Sequence, residues 1–377
     1  MFDGSARDNR WVEARVDLAA IRHNVGVLRS AVAPASVWAV VKADGYGHGA
    51  VPAAQAVLAG GAEGLCVALA QEGVELRDAG IEAPILLLSE QPTSQIDTVV
   101  THRLIPTVYS IGAVRAVADA VRRAGLSDYP VQVKVDTGMN RVGVAPSGAA
   151  ALVAAVEASG PALGLAGVFT HLAVTDEPDN PFTSQQISRF AEVLAGLPNR
   201  PPVVHAANSG GALAHPATRY DLVRPGITVY GIEPGPSLRG LCSQLRPALS
   251  LVSRVSFVKR VRAGERISYG LRHTFDRDTT VATVPIGYAD GVPRRLSNAR
   301  GLVLLDGKRR TIAGMVTMDQ LMLDCGDDPV QVGDEVVLLG AQGNDRIRAE
   351  EWADEVGTIP YEIVCGLSKR VRRVYLD

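Results

Sequence analysis

Over residues 38–223 the hydrophobic positions fall into eight short, largely β-branched runs, at 38–41, 65–68, 85–88, 105–108, 131–135, 167–170, 203–206 and 222–223. Between them lie Ala-rich stretches, such as 51–59, 71–79, 113–124, 149–158 and 184–194, in which apolar residues recur every three or four positions, the spacing of one helix face. Strand and helix alternating eight times predicts an α/β fold, a parallel (β/α)8 barrel of TIM type over residues 11–244 rather than an open sheet. From residue 245 the period changes to two, as in LSLVSRVSFVKRV from Leu249 and TTVATVPIGYA from Thr279. Turn residues punctuate this pattern at Ala263-Gly264, Asp306-Gly307 and Val332-Gly333-Asp334. A mostly β C-terminal domain over residues 245–377, interrupted by one helix over 349–356, is the expectation.

Composition adds exclusions. A chain of 377 residues is long enough for two domains, and its 47% hydrophobic and 21% charged residues are those of an ordinary globular protein. A formal charge of −2 argues against nucleic acid as a partner. Cys66, Cys242, Cys325 and Cys365 are far apart and lack metal-type spacing, so neither a zinc site nor a disulfide framework is expected. The opening MFDGSARDNRW has no apolar core of a signal peptide, and no stretch approaches the roughly 18 apolar residues of a membrane helix. The expected location is the cytoplasm, with no membrane partner.

In a barrel of this kind the chemistry sits at the C-terminal ends of the strands. Lys42 ends the first run, before a loop punctuated by Gly45, Gly47 and Gly49. Lys134, Asp136 and Arg141 follow the fifth run, His171 the sixth, His205, Asn208 and Ser209 the seventh, and Arg224, Gly226 and Ile227 the eighth. One polar residue at a strand end is ordinary, but two lysines, two arginines and two histidines at one rim point to an anionic ligand. A lysine packed among apolar neighbours resists protonation, which makes its amine available as a nucleophile or a base. The small residues at 208–211 and 225–227 expose backbone N–H groups and a hydroxyl of the kind that hold phosphate in barrels. There is no Walker pattern, and the G-x-G-x-G at Gly45 to Gly49 lacks the spacing of the dinucleotide fingerprint. A rim lysine, a phosphate cradle and an arginine after the last strand together suggest pyridoxal 5'-phosphate or another small phosphate ligand, with Lys42 as the amine that its aldehyde would take.

Several ordered segments resemble the alanine racemase family. They are AVVKADGYGHGA from Ala39, VKVDTGMNRVG from Val133, FTHLA from Phe169, HAANSGG from His205, DLVRPGITVYG from Asp221, ISYG from Ile267, PIGYADG from Pro285, MDQ from Met318 and GTIPYE from Gly357. The resemblance implies a pyridoxal-phosphate barrel followed by a β domain, in a homodimer with shared active sites. Carried over residue by residue, it implies that Lys42 is the Schiff-base lysine and one of two catalytic bases. Tyr269 would be the other base, reaching the site from the partner subunit. Two bases make chemical sense, since racemisation removes the α-proton from one face and returns one to the other. Arg224 would face the pyridine nitrogen, and an arginine only donates, so that nitrogen would stay an unprotonated acceptor. His171 would hydrogen-bond Tyr269. The resemblance further implies cofactor contacts at Tyr46, Asn208, Ser209, Gly226, Ile227 and Tyr361, and substrate contacts at Arg141, Met318, Asp319 and Tyr288. Lys134 corresponds to a lysine that is carbamylated in many relatives; no metal is implied.

One departure bears on specificity: the family commonly has a cysteine just before Met-Asp-Gln, and here the residue is Thr317, polar and β-branched. The stretch Gly366-Leu367-Ser368 is also unlike the family's usual one. The resemblance thus implies racemisation of alanine for peptidoglycan. Its alternatives are a racemase of another small or broader range of amino acids, such as serine, in secondary metabolism, a non-catalytic carrier of the cofactor, and a barrel-type decarboxylase. Decarboxylation benefits from a protonated pyridine, which an arginine partner does not provide.

Overall fold

A computed structural model describes residues 10–297 and 301–377. In chain order the first strands are β1 (Val12–Asp17), β2 (Ser36–Val40), β3 (Gly64–Val67), β4 (Ile85–Leu87), β5 (Thr107–Val108), β6 (Tyr129–Lys134), β7 (Leu163–Phe169), β8 (Val203–His205) and β9 (Leu222–Val223). Strands β2 to β9 form one parallel sheet in the order β4-β3-β2-β9-β8-β7-β6-β5. Leu86 and Ile105 make a further parallel bridge, which brings the two ends of the sheet together into a nearly closed barrel. All eight strands coincide with the eight apolar runs.

The barrel belongs to a compact unit that runs from Ala19 to Arg246. Its strands are buried on both faces, which is why they read as continuous apolar runs: all of Gly64–Val67 and Ile85–Leu87 is buried. The helices show one apolar face each. In Ile111–Arg123, Val114, Val117, Ala118 and Val121 are buried, Ser110 caps the first turn by accepting from the Ala113 N–H at 3.1 Å, and Arg122 and Arg123 sit at the negative end of the helix dipole. Each fully buried valine contributes roughly 1.5–3 kcal/mol relative to exposure. Asn24, fully buried on the helix Leu18–Val32, donates to the carbonyls of Val229 and Arg246 at 3.0 and 2.9 Å and ties down the end of the unit.

The second unit comprises the segment ending at Leu18 and residues from Pro247 onward. Its further strands are β10 (Leu249–Arg254), β11 (Phe257–Val261), β12 (Arg266–Ile267), β13 (His273–Thr274), β14 (Thr279–Val284), β15 (Leu302–Leu305), β16 (Lys308–Thr311), β17 (Leu321–Asp324), β18 (Glu335–Gln342), β19 (Asp345–Ile347) and β20 (Arg372–Leu376). The main sheet runs β16-β15-β18-β10-β1-β20, with β19 on β18; β11-β14-β17 and β12-β13 form two smaller sheets.

Two expectations change here. The stretch from residue 11, assigned to the barrel from sequence, runs in the β unit instead: β1 pairs antiparallel with β10 and parallel with β20. Its alternation explains why, since Val12, Ala14 and Val16 are buried and the residues between them are not, the pattern of a sheet with one wetter face rather than of a barrel strand. A second C-terminal helix, Pro360–Cys365, follows the expected Ala349–Val356; at six residues it is too short to show a helical period. Among the described residues no helix is long and apolar enough to cross a membrane.

Candidate active site

Lys42 lies just beyond β2, half-buried, after the buried Val40 and Val41. The chain then enters a left-handed turn: Ala43, Asp44, Gly45, Tyr46 and Gly47 have φ of 53, 54, 59, 53 and 79°. For a residue with a Cβ this region costs roughly 1–2 kcal/mol, so Ala43, Asp44 and Tyr46 together store a few kcal/mol of strain. Specific acceptors hold it. Asp44 Oδ1 takes the Ala50 N–H at 2.8 Å, and Glu72 Oε1 takes the Ala43 N–H at 2.7 Å. Glu72 Oε2 at the same time accepts from Ala68 and Leu69 at 2.8 and 3.0 Å, so one carboxylate fastens the loops after β2 and β3 together. The glycines hinted at this turn; nothing in the sequence pointed to Glu72.

Tyr46 is buried, stacked on Tyr230 with ring centroids 5.2 Å apart. A Cβ added at Gly226 would lie 2.5 Å from the Tyr46 hydroxyl, so only glycine lets the two approach. Asn208 caps the short helix Ser209–Ala214, accepting from Gly211 N at 3.0 Å and from Thr175 Oγ1 at 2.7 Å. Ser209 Oγ accepts from the Gly226 N–H at 2.9 Å and lies 3.1 Å from Thr228 Oγ1. The ends of β2, β8 and β9 thus bring Tyr46, Ser209 and Gly226, with Ile227 next in the chain, to one place.

Arg224 is 2% exposed beside this cradle. It donates to the carbonyls of Thr170 and Ala206 at 2.9 and 3.0 Å, and its other nitrogen makes a very short bond to His205 Nδ1. An arginine has no acceptor, so His205 carries its proton on Nε2 and donates to Gln132 Oε1 at 2.5 Å. His171 Nδ1 lies 3.5 Å from Arg224, which by the same reasoning leaves Nε2–H of His171 as a donor. Burial lowers the Arg224 pKa to about 10, and burial reinforced by the Arg224 charge keeps His205 neutral, well below the usual histidine value. His171 is driven the same way by burial and by Arg224, Lys134, Arg141 and Lys42.

Lys134 donates to the Leu88 carbonyl at 3.1 Å and sits over the Phe169 ring. Burial, then the charges of Arg224, Arg141 and Lys42, lower its pKa to about 7, against 10.5 for a free lysine, with Asp136 opposing. Four cations around one rim, with a single carboxylate acting on Lys134, make a site that favours anions. Because the Lys134 pKa is lower in the folded chain than in the unfolded one, the unfolded chain binds the extra proton between pH 7 and 10.5, and stability rises with pH through that window. In thermal melts across it, Lys134→Met flattens this slope, and the difference between variant and wild type moves in the variant's favour as the pH falls towards 7.

The remaining predicted residues belong to the β unit. Tyr269 is 74% exposed on a strained turn, between Ser268 at φ 64° and Gly270 at φ 73°. The Ser268 hydroxyl donates to the Met315 carbonyl at 3.0 Å, which fixes this turn against the segment leading to Met318. Tyr288 and Met318, also exposed, are carried on adjacent turns: Tyr288 N donates to Thr317 O at 3.0 Å and Ala289 N to Met318 O at 3.1 Å. Thr317 closes its own turn by donating from Oγ1 to the Gln320 carbonyl at 2.8 Å. Behind both turns Asp290, fully buried, receives both Arg10 nitrogens at 2.6 Å; Arg370 lies 3.3 Å from it and also pairs with Asp319 at 2.6 Å. Such a buried carboxylate is held only while its partners remain. The unusual Gly366-Leu367-Ser368 stretch acquires a place here: Ser368 N donates to Asp290 O at 3.1 Å, and a Cβ at Gly291 would lie 2.5 Å from Gly366 O. Tyr361 lies on Pro360–Cys365, the helix that directly precedes this stretch. Among the described residues no group of three or more His, Cys, Asp or Glu is placed to hold a metal ion.

Comparison with known proteins bears on both units. Residues 16–234 match the family model described as the alanine racemase N-terminal domain, and residues 248–375 match the alanine racemase C-terminal domain. An alanine racemase of Thermobifida fusca is 47% identical over 373 residues, covering 97% of this chain and 98% of that protein. The crystal structure of alanine racemase from D-cycloserine producing Streptomyces lavendulae superposes with a TM-score of 0.92 at 41% identity, covering 98% of this chain and 97% of that one. A histidine racemase from Leuconostoc mesenteroides superposes with a TM-score of 0.90 at 28% identity, over 98% of this chain and 99% of that one.

Proposed function

The chain belongs to the alanine racemase family, and from that premise we propose that it interconverts L- and D-alanine with pyridoxal 5'-phosphate as cofactor, supplying D-alanine for peptidoglycan. The observation that carries the reading is the rim itself: Lys42, Lys134, Arg141 and Arg224 act on common neighbours beside a cradle that Gly226 keeps open against Tyr46. The groups gathered at the strand ends fit the cofactor, whose phosphate would take Ser209, Gly226, Ile227 and Tyr46, with Asn208 holding the helix start; the family resemblance adds Tyr361. When bound, the cofactor supplies an electron sink that acidifies the α C–H of an amino acid.

Lys42 would hold the cofactor and exchange the α-proton on one face, and Tyr269 of the partner subunit would exchange it on the other. The site is therefore shared within a homodimer. Arg224, a donor without an acceptor, would keep the ring nitrogen unprotonated and the sink weak, which suits reversible proton transfer and disfavours decarboxylation. His171, neutral and with its proton on Nε2, would donate to the phenol oxygen of Tyr269. Arg141 would pair with the substrate carboxylate. Lys134, with its pKa near 7, holds a neutral amine at moderately alkaline pH. Its nitrogen can add to carbon dioxide and release a proton, giving a carbamate anion able to orient Arg141. Tyr269, Tyr361 and Met318 would close over the substrate side chain and favour a methyl group, with Tyr288 lining the entrance and Asp319 shaping the pocket. A cytoplasmic location is part of the proposal.

A second reading, a racemase of serine or a broader set of amino acids, rests on Thr317 and on the similarity to a histidine racemase. Incubating the cofactor-loaded protein in heavy water with a panel of amino acids decides between them. Alanine exchanges its α-proton fastest under the first reading; faster exchange of serine, histidine or a basic amino acid overturns it. Protein that binds the cofactor and exchanges no α-proton overturns both.

A further inference from the structure

Gln186 lies on the helix Phe182–Ala195, is not among the residues assigned above, and is completely buried. A buried amide has to find partners, and the ones it finds connect two parts of the rim. Its Oε1 accepts from the Ala173 N–H at 2.8 Å, and its Nε2 donates to the His171 carbonyl at 3.1 Å and to Thr137 Oγ1 at 3.3 Å. Thr137, itself 1% exposed, lies 2.8 Å from Thr170 Oγ1. The two hydroxyls share a hydrogen bond, and the Thr170 carbonyl receives Arg224 at 2.9 Å.

The same helix face adds two more holds, because Phe182, Gln186 and Arg189 are spaced to share it. Arg189 donates to the Thr137 carbonyl at 3.0 Å, and a Cβ on Gly138 would lie 2.7 Å from Arg189 Nη1 and 2.9 Å from the Phe182 ring. The loop gripped in this way leaves β6 and runs to Arg141. The loop gripped on the other side leaves β7 and carries His171.

We propose that Gln186 is a positioning residue: it fixes the loop after β6 against the loop after β7, and so sets where Arg141 and His171 point. The consequence for catalysis rests on the roles given to those two residues in the proposed function. The physical claim, that one amide holds both loops, does not.

The test uses the full-length protein and the near-isosteric Gln186→Met, which removes donor and acceptor without opening a large cavity. Loss of a buried amide's bonds is expected to raise KM for both alanine enantiomers about tenfold and to lower kcat, while the dissociation constant for pyridoxal phosphate changes less than about threefold. Thr137→Val acts in the same direction, and the double variant is little worse than the worse single one, as for residues in one network. Thr137→Ser restores the wild-type values. Hydrogen exchange on the protein without substrate supplies a readout independent of turnover: the amides of Ala173, Gly138 and Asn140 exchange about tenfold or more faster in Gln186→Met, while those of the barrel strands do not.

Unchanged KM with unchanged exchange overturns the proposal. So does a uniform rise in exchange throughout the barrel together with weaker cofactor binding, which marks a merely structural glutamine. If Gln186→Met fails to fold, Thr137→Val with rescue by Thr137→Ser decides. Wild-type protein that leaves alanine untouched sinks the functional reading instead, and the exchange comparison still decides on Gln186.

Discussion

Lys42→Ala abolishes α-proton exchange with alanine in both directions, by roughly four orders of magnitude or more, the scale on which removal of an essential nucleophile or base acts. The protein stays folded, because Lys42 is half-buried at a strand end and Asp44 and Glu72 hold the strained turn that follows. Two measurements separate this from simple loss of cofactor. The absorbance of lysine-bound pyridoxal phosphate disappears, and borohydride no longer fixes the cofactor to the peptide that contains residue 42. Reduction of the cofactor onto another lysine, Lys134 being the neighbour with the lowered pKa, would overturn the assignment.

Tyr269→Phe has the second largest effect, and its signature is asymmetry. Net racemisation falls roughly 10²–10⁴-fold in both directions alike, because the equilibrium constant between enantiomers is unity and one missing proton donor blocks both. Exchange without inversion behaves differently: solvent deuterium still enters one enantiomer from the face served by Lys42, and entry into the other is lost. Equal loss for both enantiomers would remove Tyr269 from the mechanism. Stability is little altered, since the ring is 74% exposed in the chain and surface changes of this size stay within about ±0.5 kcal/mol. If the site is shared between subunits, mixing inactive Lys42→Ala and Tyr269→Phe proteins under conditions of subunit exchange restores part of the activity, because one of the two sites then combines the intact residues.

The barrel was legible because parallel strands buried on both faces leave uninterrupted apolar runs, and all eight runs correspond to strands of the barrel sheet. The strand Val12–Asp17 was not, because which sheet an alternating segment joins depends on a partner more than two hundred positions away, and period two says nothing about partners. The rim residues were legible as a set, through their common place after the runs. Their charge coupling was not: that the Lys134 pKa falls to about 7 depends on burial and on three cations from separate strand ends. Glu72 and Gln186 escaped entirely. Both act from helices, through backbone groups of other loops, and a carboxylate or amide in an amphipathic helix reads as solvated surface until the loops around it are placed. Tyr269 stands between these cases. The residues around it showed a resemblance, whereas its own surroundings, a strained and exposed turn, carried no signal in composition or period.

The first strand has a consequence for how the molecule is made. It lies between Leu249–Arg254 and Arg372–Leu376, so it gains its first partner only after the whole barrel sequence has been made and its second only when the last strand has been synthesised. Domains generally form as they emerge, and the barrel, complete by Arg246, can close while its leading tether still waits. The β unit therefore cannot be obtained by cutting the gene at the boundary between barrel and β sequence. A fragment that starts at residue 245 lacks its fifth main-sheet strand and presents two bare edges where one buried ribbon should be.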